Sequence, residues 1–187
     1  ETVDLRQYAS LDIKEIGSRL LNSKVNLIGY SFGARLGAKL KIEYPDLIQK
    51  CVLLAGHMGL KEDSEKEARV SFENKMIEKM LTSGSKEFLS FWNDLSLFEG
   101  DEDIKGEFDL KEWVDFFKIH GLSKQDYLVS GLKKYKNDIV FAYGRSDKKY
   151  VSYAKKELQD FRVDYIEGGH RVLQNNIEVK NLLGDFL

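Results

Sequence analysis

Apolar positions along the chain change their spacing several times. Ile13, Ile16, Leu20 and Leu21 recur at helical intervals and predict a helix over 12–22. A short apolar run at 25–29 reads as a strand, and Leu36, Leu40 and Tyr44 then resume helical spacing at once. Tyr44-Pro45-Asp46 stops that helix near residue 43. A second run, 51–55, is continuously apolar, as expected of a parallel strand covered on both faces. Strand, helix, strand predicts one unit of a parallel α/β sheet.

From residue 56 to about 136 only helical patterns occur. Ala68, Phe72, Met76 and Met80 lie four apart in a helix predicted over 64–81, which Gly84 ends. Phe88, Phe91, Trp92 and Leu95 follow at helical spacing, as do Leu110, Trp113, Val114 and Phe117 up to Gly121. A further helix is predicted over 123–135, and the acidic run Glu99-Gly100-Asp101-Glu102-Asp103 reads as a solvated loop. The α/β pattern then returns, with strands at 139–143 and 163–166 and helices at 151–161 and 177–187. The expected organisation is an α/β core from residues 1–57 and 137–187, with a helical cap, 58–136, inserted between its strands.

With 187 residues, the chain is long enough for a substantial core. Hydrophobic residues make up 42% and charged ones 32%, the balance of a globular chain. A net charge of −2 without a basic stripe argues against a nucleic-acid partner, and no apolar stretch has the length of a membrane span. The one cysteine, Cys51, lies inside an apolar run, so it reads as a buried thiol in a protein of a reducing, cytoplasmic compartment.

The first strand ends in Gly29-Tyr30-Ser31-Phe32-Gly33. Gly-x-Ser-x-Gly between a strand and a helix is the context of a nucleophile elbow, where a serine on a tight turn needs neighbours without bulk. There the Phe32 N–H and the helix N-terminus favour negative charge. The other reading is an ordinary strand–loop–helix joint with two turn glycines. A serine hydroxyl needs an imidazole to take its proton and a carboxylate to orient that imidazole. Asp147 and His170 supply these types in the order Ser…Asp…His, each just past a predicted parallel strand. Taken singly, Asp147 could be a turn aspartate and His170 a surface histidine. His57 reads as structural, and His120 as a cation at a helix C-terminus. No metal-ligand spacing and no phosphate loop occurs, so neither metal nor cofactor is expected.

This triad order is that of the α/β-hydrolase superfamily. Within it, Gly29-Tyr30-Ser31-Phe32-Gly33-Ala34-Arg35 resembles the elbow of the SHCHC synthases (MenH-like enzymes) of menaquinone biosynthesis. The resemblance extends to Gly56-His57-Met58-Gly59-Leu60, Glu67-Ala68-Arg69, Phe91-Trp92 with Phe98, the acid loop Tyr143–Tyr150 and Gly168-Gly169-His170. It runs from about Tyr8 to Leu187. It implies an α/β-hydrolase fold whose first strands are absent from this chain, so that an N-terminal segment, carrying the second oxyanion donor, is expected to complete the sheet. It also implies a lyase that releases pyruvate from a substrate with three carboxylates. Arg35 and Arg69 would bind those carboxylates, and Tyr30, Phe32 and Trp92 would line the pocket. Read from the residues alone, Arg35 could instead snorkel, Arg69 pair with Glu65 or Glu73 on its own helix, and Trp92 belong to a core. A further basic pocket residue has no clear counterpart, Lys118 being the candidate. A serine esterase or thioesterase, or a hydrolase fold reused to bind a ligand, would use the same constellation.

Overall fold

The computed structural model describes residues 12–20, 23–106, 109–174 and 177–186. The residues before Asp12, with Tyr8, lie outside the described ones, as do Leu21, Leu187 and the side chain of Leu20. Four parallel strands lie in the order β1 (Val25–Tyr30), β2 (Ile48–Leu54), β3 (Ile139–Gly144) and β4 (Arg162–Ile166). Cys51 pairs with Leu27 on one side and Ile139 on the other, and Val140 pairs with Arg162. The apolar runs explain the pairing: β3 is buried at every position and β2 at all but two, so both are covered on both faces. Among the described residues β1 is an edge strand, and its Ile28 is 49% exposed.

Helix α1 (Ile13–Leu20) precedes β1, and α2 (Phe32–Glu43) follows it. A Cβ on Gly37 would come within 2.4 Å of the Leu27 side chain, so the glycine lets α2 approach its own strand. Lys41 of α2 is buried, and its Nζ donates to the Ile48 and Gln49 carbonyls and to Asp138 at 2.5, 3.1 and 3.2 Å. Those acceptors and the Tyr135 ring offset the cost of burying an ammonium. One face of the sheet packs Val52, Leu54, Val140, Ala142 and Ile166 against Val179 and Leu182 of α8 (Ile177–Phe186).

The described chain divides into two compact units. The sheet unit takes in Ile13–Met58, Ser96–Glu102 and Leu128 onward; the helical unit takes in Gly59–Leu95 and Asp103–Tyr127. The helical unit contains α3 (Asp63–Thr82), α4 (Ser85–Asn93) and α5 (Leu110–His120) around Met76, Met80, Phe88, Val114 and Phe117. The buried stripe of α3 is Glu73, Met76 and Met80, whereas Ala68 at the start of the predicted stripe is exposed.

Two sequence expectations are corrected. The helix over 123–135 is replaced by a 3₁₀ turn at Leu122–Lys124, the single turn α6 (Val129–Leu132) and a kinked 3₁₀ stretch, Lys133–Asp138. Glu73 takes the Ser123 hydroxyl and N–H, and Met58 takes the Leu128 N–H, so this backbone is held by partners far away in sequence. The acidic run is not simply solvated: residues up to Glu102 join the sheet unit, where Asp101 accepts the Arg171 N–H at 3.0 Å.

Candidate active site

Ser31 stands between β1 and α2 with φ 51° and ψ −109°, a left-handed backbone that a serine adopts only when its surroundings impose it. Its N–H donates to the Leu54 carbonyl at 2.8 Å, and its carbonyl accepts the Arg35 N–H at 3.3 Å. A Cβ on Gly29 would lie 2.3 Å from the Gly33 carbonyl oxygen. Gly56 closes the other side, since a Cβ there would fall 2.5 Å from that of Ala34. The tight turn thus follows from glycine spacing, and it places the serine at the first turn of α2, where orphan N–H groups and the helix dipole favour negative charge.

Asp147 and His170 come together, both buried, with His170 Nδ1 2.7 Å from Asp147 Oδ2. An ionised carboxylate only accepts, so Nδ1 carries the hydrogen, and a neutral ring keeps its lone pair on Nε2. The other oxygen, Oδ1, accepts the Tyr150 N–H at 3.0 Å, so the same carboxylate is the N-cap of α7 (Lys148–Glu157). This cap is why α7 starts at Lys148 and not at 151. Backbone bonds fasten the two loops together: Arg145 N–H to the Ile166 carbonyl at 2.8 Å and Ser146 N–H to that of Gly168 at 3.0 Å. A Cβ on Gly144 would strike the Gly168 and Gly169 carbonyl oxygens, so only glycine permits this approach.

Tyr150, Phe98 and Tyr30 surround the His170 ring at centroid distances of 4.6, 5.7 and 6.2 Å. Burial, helped by the Asp101 carboxylate, pushes the Tyr30 phenol well above its ordinary pKa, so it stays protonated at neutral pH. Buried Tyr143 shifts the same way for the same first cause and donates to the Gly56 carbonyl at 2.7 Å. His57 stacks on Tyr153 at 4.0 Å, and His120 packs near Phe116 at the end of α5. Of the residues near His170, Asp101 and Arg171 are given no role by sequence reasoning, and Phe98 and Tyr150 enter it only through the family resemblance. Only Tyr150, at the third helical position after an aspartate N-cap, had a local signal.

The remaining predicted binders are distributed over both units. The Arg35 guanidinium lies over the Phe32 ring at 4.9 Å in the sheet unit. In the helical unit Arg69 donates from Nε to Glu73 at 2.7 Å and lies 4.9 Å over Phe72, so the pairing within its own helix is formed. Trp92 packs in the aromatic core, 5.5 Å from Trp113 and 6.0 Å from Phe88. Lys118 is exposed on α5. Among the described residues no group of three or more His, Cys, Asp and Glu could hold a metal ion, and no helix is long and apolar enough to cross a membrane.

A parallel sheet with a strained serine turn and an aspartate–histidine pair at successive strand ends is an arrangement of the α/β-hydrolase fold. The model of the α/β-hydrolase fold family matches residues 7–75, and the chain has that fold. It is similar to MenH from S. aureus, with TM-score 0.80 at 18% identity, covering 100% of this chain and 78% of that one. A carboxylesterase from the thaumarchaeon Nitrososphaera gargenis superposes with TM-score 0.63 at 18% identity, over 99% of this chain and 72% of that one. In sequence, a Bacillus subtilis (strain 168) protein with the provisional name 2-succinyl-6-hydroxy-2,4-cyclohexadiene-1-carboxylate synthase is 33% identical over 91 residues. That match takes in 49% of this chain and spans a third, 33%, of the length of the curated relative.

Proposed function

We propose that this chain carries the catalytic residues of a lyase resembling 2-succinyl-6-hydroxy-2,4-cyclohexadiene-1-carboxylate synthase, with Ser31, His170 and Asp147 as its proton-transfer relay. The observation that carries this is the buried 2.7 Å Asp147–His170 contact at strand ends, with the ring of Tyr30, the residue before Ser31, 6.2 Å from the imidazole. Asp147 holds the imidazole with Nε2 as acceptor; His170 takes the Ser31 hydroxyl proton; the serine oxygen draws a proton from the substrate ring. The electrons left on carbon form the ring double bond as the carbon–oxygen bond to the enolpyruvyl group breaks; that group leaves as the pyruvate enolate, whose methylene carbon takes up the proton held by His170, while Ser31 keeps the ring proton as its hydroxyl hydrogen. No acyl-enzyme forms. Arg35, four residues past Ser31, and Arg69 supply guanidinium groups that suit a substrate with several carboxylates. Tyr30, Phe32 and Trp92 are proposed as pocket walls. A single buried cysteine supports a reducing compartment such as the cytoplasm.

A second reading, a serine esterase or thioesterase, draws support from the carboxylesterase that shares the fold, with Ser31 then a nucleophile. Pyruvate release from 2-succinyl-5-enolpyruvyl-6-hydroxy-3-cyclohexene-1-carboxylate, measured beside hydrolysis of p-nitrophenyl acetate, separates the two. Ser31→Ala and His170→Ala are each expected to lower kcat of the true reaction by about 10³-fold or more. Arg35→Ala is expected to raise KM for the tricarboxylate and leave ester hydrolysis within about twofold. Pyruvate release that survives Ser31→Ala would remove the relay, and ester turnover without pyruvate release would select the hydrolase.

A further inference from the structure

The segment between Ser96 and Glu102 leaves and re-enters the helical unit, yet it groups with the sheet unit, and its contacts converge on the loop that carries His170. Asp101 Oδ2 accepts the N–H of Arg171, the residue directly after His170, at 3.0 Å. Glu102 returns the bond: its carbonyl accepts from Arg171 Nη1 and from Gln174 Nε2, each at 2.7 Å. The Arg171 guanidinium lies 4.1 Å over the Phe98 ring, and that ring meets the His170 imidazole edge-on at 5.7 Å. The segment is itself shaped for this task. Phe98 accepts the Asp101 N–H at 3.0 Å, and Gly100 turns the chain with φ 84°.

Gly169 shows how closely the two pieces fit. A Cβ at that position would lie 2.3 Å from Asp101 Oδ1 and 3.0 Å from Oδ2. The carboxylate must give way to a methyl group at 169, and because an aspartate side chain is short, that shift is expected to weaken its bond to the Arg171 N–H. The Asp101 carboxylate also adds to the upward shift of the Tyr30 phenol, whose first cause is burial.

We infer that residues 98–102 form a strap whose Asp101 is a positioning residue for His170: its carboxylate, seated in the space that Gly169 leaves open, fixes the backbone after the imidazole while Phe98 braces the ring. This rests on the reading of His170 as the proton acceptor. The strap touches neither Asp147 nor the elbow serine through any bond described above, so it acts by limiting where the imidazole stands. Displacing a catalytic group by about an ångström costs on the order of a hundredfold in rate, and partial loosening costs less.

The test pairs turnover with a proton NMR signal of the ring itself, the low-field resonance of the Nδ1–H held between His170 and Asp147, assigned by its loss in His170→Gln. Asp101→Ala is expected to lower kcat about tenfold with KM within twofold, and to broaden or shift that resonance. Asp101→Asn, whose side-chain oxygen still accepts the Arg171 N–H, is expected to rescue most of both. Gly169→Ala reaches the same contact from the loop side and serves as the second variant should Asp101→Ala fold poorly. Alone it is expected to match Asp101→Ala; in the Asp101→Ala background, where nothing remains to strike, it should cost less than twofold more. An unaltered resonance and kcat in Asp101→Ala, or an equal cost of Gly169→Ala in both backgrounds, would overturn the strap. Were turnover indifferent to His170→Gln while the resonance still responded to Asp101→Ala, the strap would stand and the proton-acceptor reading would fall.

Discussion

In the sheet unit the chemistry-bearing loops are tied to each other mostly through main-chain groups. Ser31 hangs from the Leu54 carbonyl, Ala55 from that of Ala142, and the acid loop from those of Ile166 and Gly168. The helical unit is held together by side chains instead. Phe88, Trp92, Trp113 and Phe117 pack ring on ring, Asn93 closes onto both backbone groups of Ile104, and Glu73 ties α3 to Ser123. Main-chain ties survive most substitutions, whereas a network of side chains changes with each residue replaced. The difference teaches where each unit is sensitive: in the sheet unit main-chain bonds fix where Ser31, Asp147 and His170 stand, whereas in the helical unit the packing depends on individual side chains.

Nature supplies a separate probe for each unit. Both tryptophans, Trp92 and Trp113, lie in the helical unit, and the only cysteine, Cys51, lies in β2. The largest expected effect comes from Phe88→Ala. Phe88 is fully buried at the centre of the aromatic core, so its truncation should destabilise by about 3–5 kcal/mol. Tryptophan fluorescence is expected to report unfolding at lower denaturant than Cys51 labelling does; coincident midpoints would mean that the two regions melt as one. Glu73→Ala should cost less, about 2 kcal/mol, because Arg69 can turn to solvent while the Ser123 hydroxyl loses its acceptor. The loss should again appear first in the tryptophan signal, and its equal appearance in both probes would count against the contrast.

The smallest effect concerns pH and the sheet alone. Burial pushes the Cys51 thiol from 9.0 up to about 12, so the folded protein holds that proton where the unfolded chain has released it. Stability is therefore complete below pH 9 and falls as the pH rises from 9 towards 12, by about 1 kcal/mol over the first unit. Denaturant unfolding of the native protein and of Cys51→Ala at pH 8 and pH 10 checks this, since the variant should lack that part of the slope.

Legibility in the sequence followed the range of the forces at work. The central strands were readable because burial on both faces leaves an uninterrupted apolar run, as in β3. The first residues of β2 were hidden by Gln49 and Lys50, polar residues whose place in the strand depends on partners elsewhere: Lys41 on the Gln49 carbonyl and Phe186 accepting from Lys50. The elbow turn and the Asp147–His170 pair could be anticipated because glycine spacing and strand ends are local features. The broken helix after Gly121 could not, since Glu73 draws Ser123 from fifty positions away. Asp101 was concealed for the same reason: within an acidic run, nothing nearby marks which carboxylate finds a backbone N–H seventy residues on.

Asp147 serves two employers at once, a ring nitrogen through one oxygen and the opening turn of a helix through the other. Replacing it by alanine would mix a chemical injury with an architectural one, whereas asparagine could keep the helix start and change only what the imidazole meets.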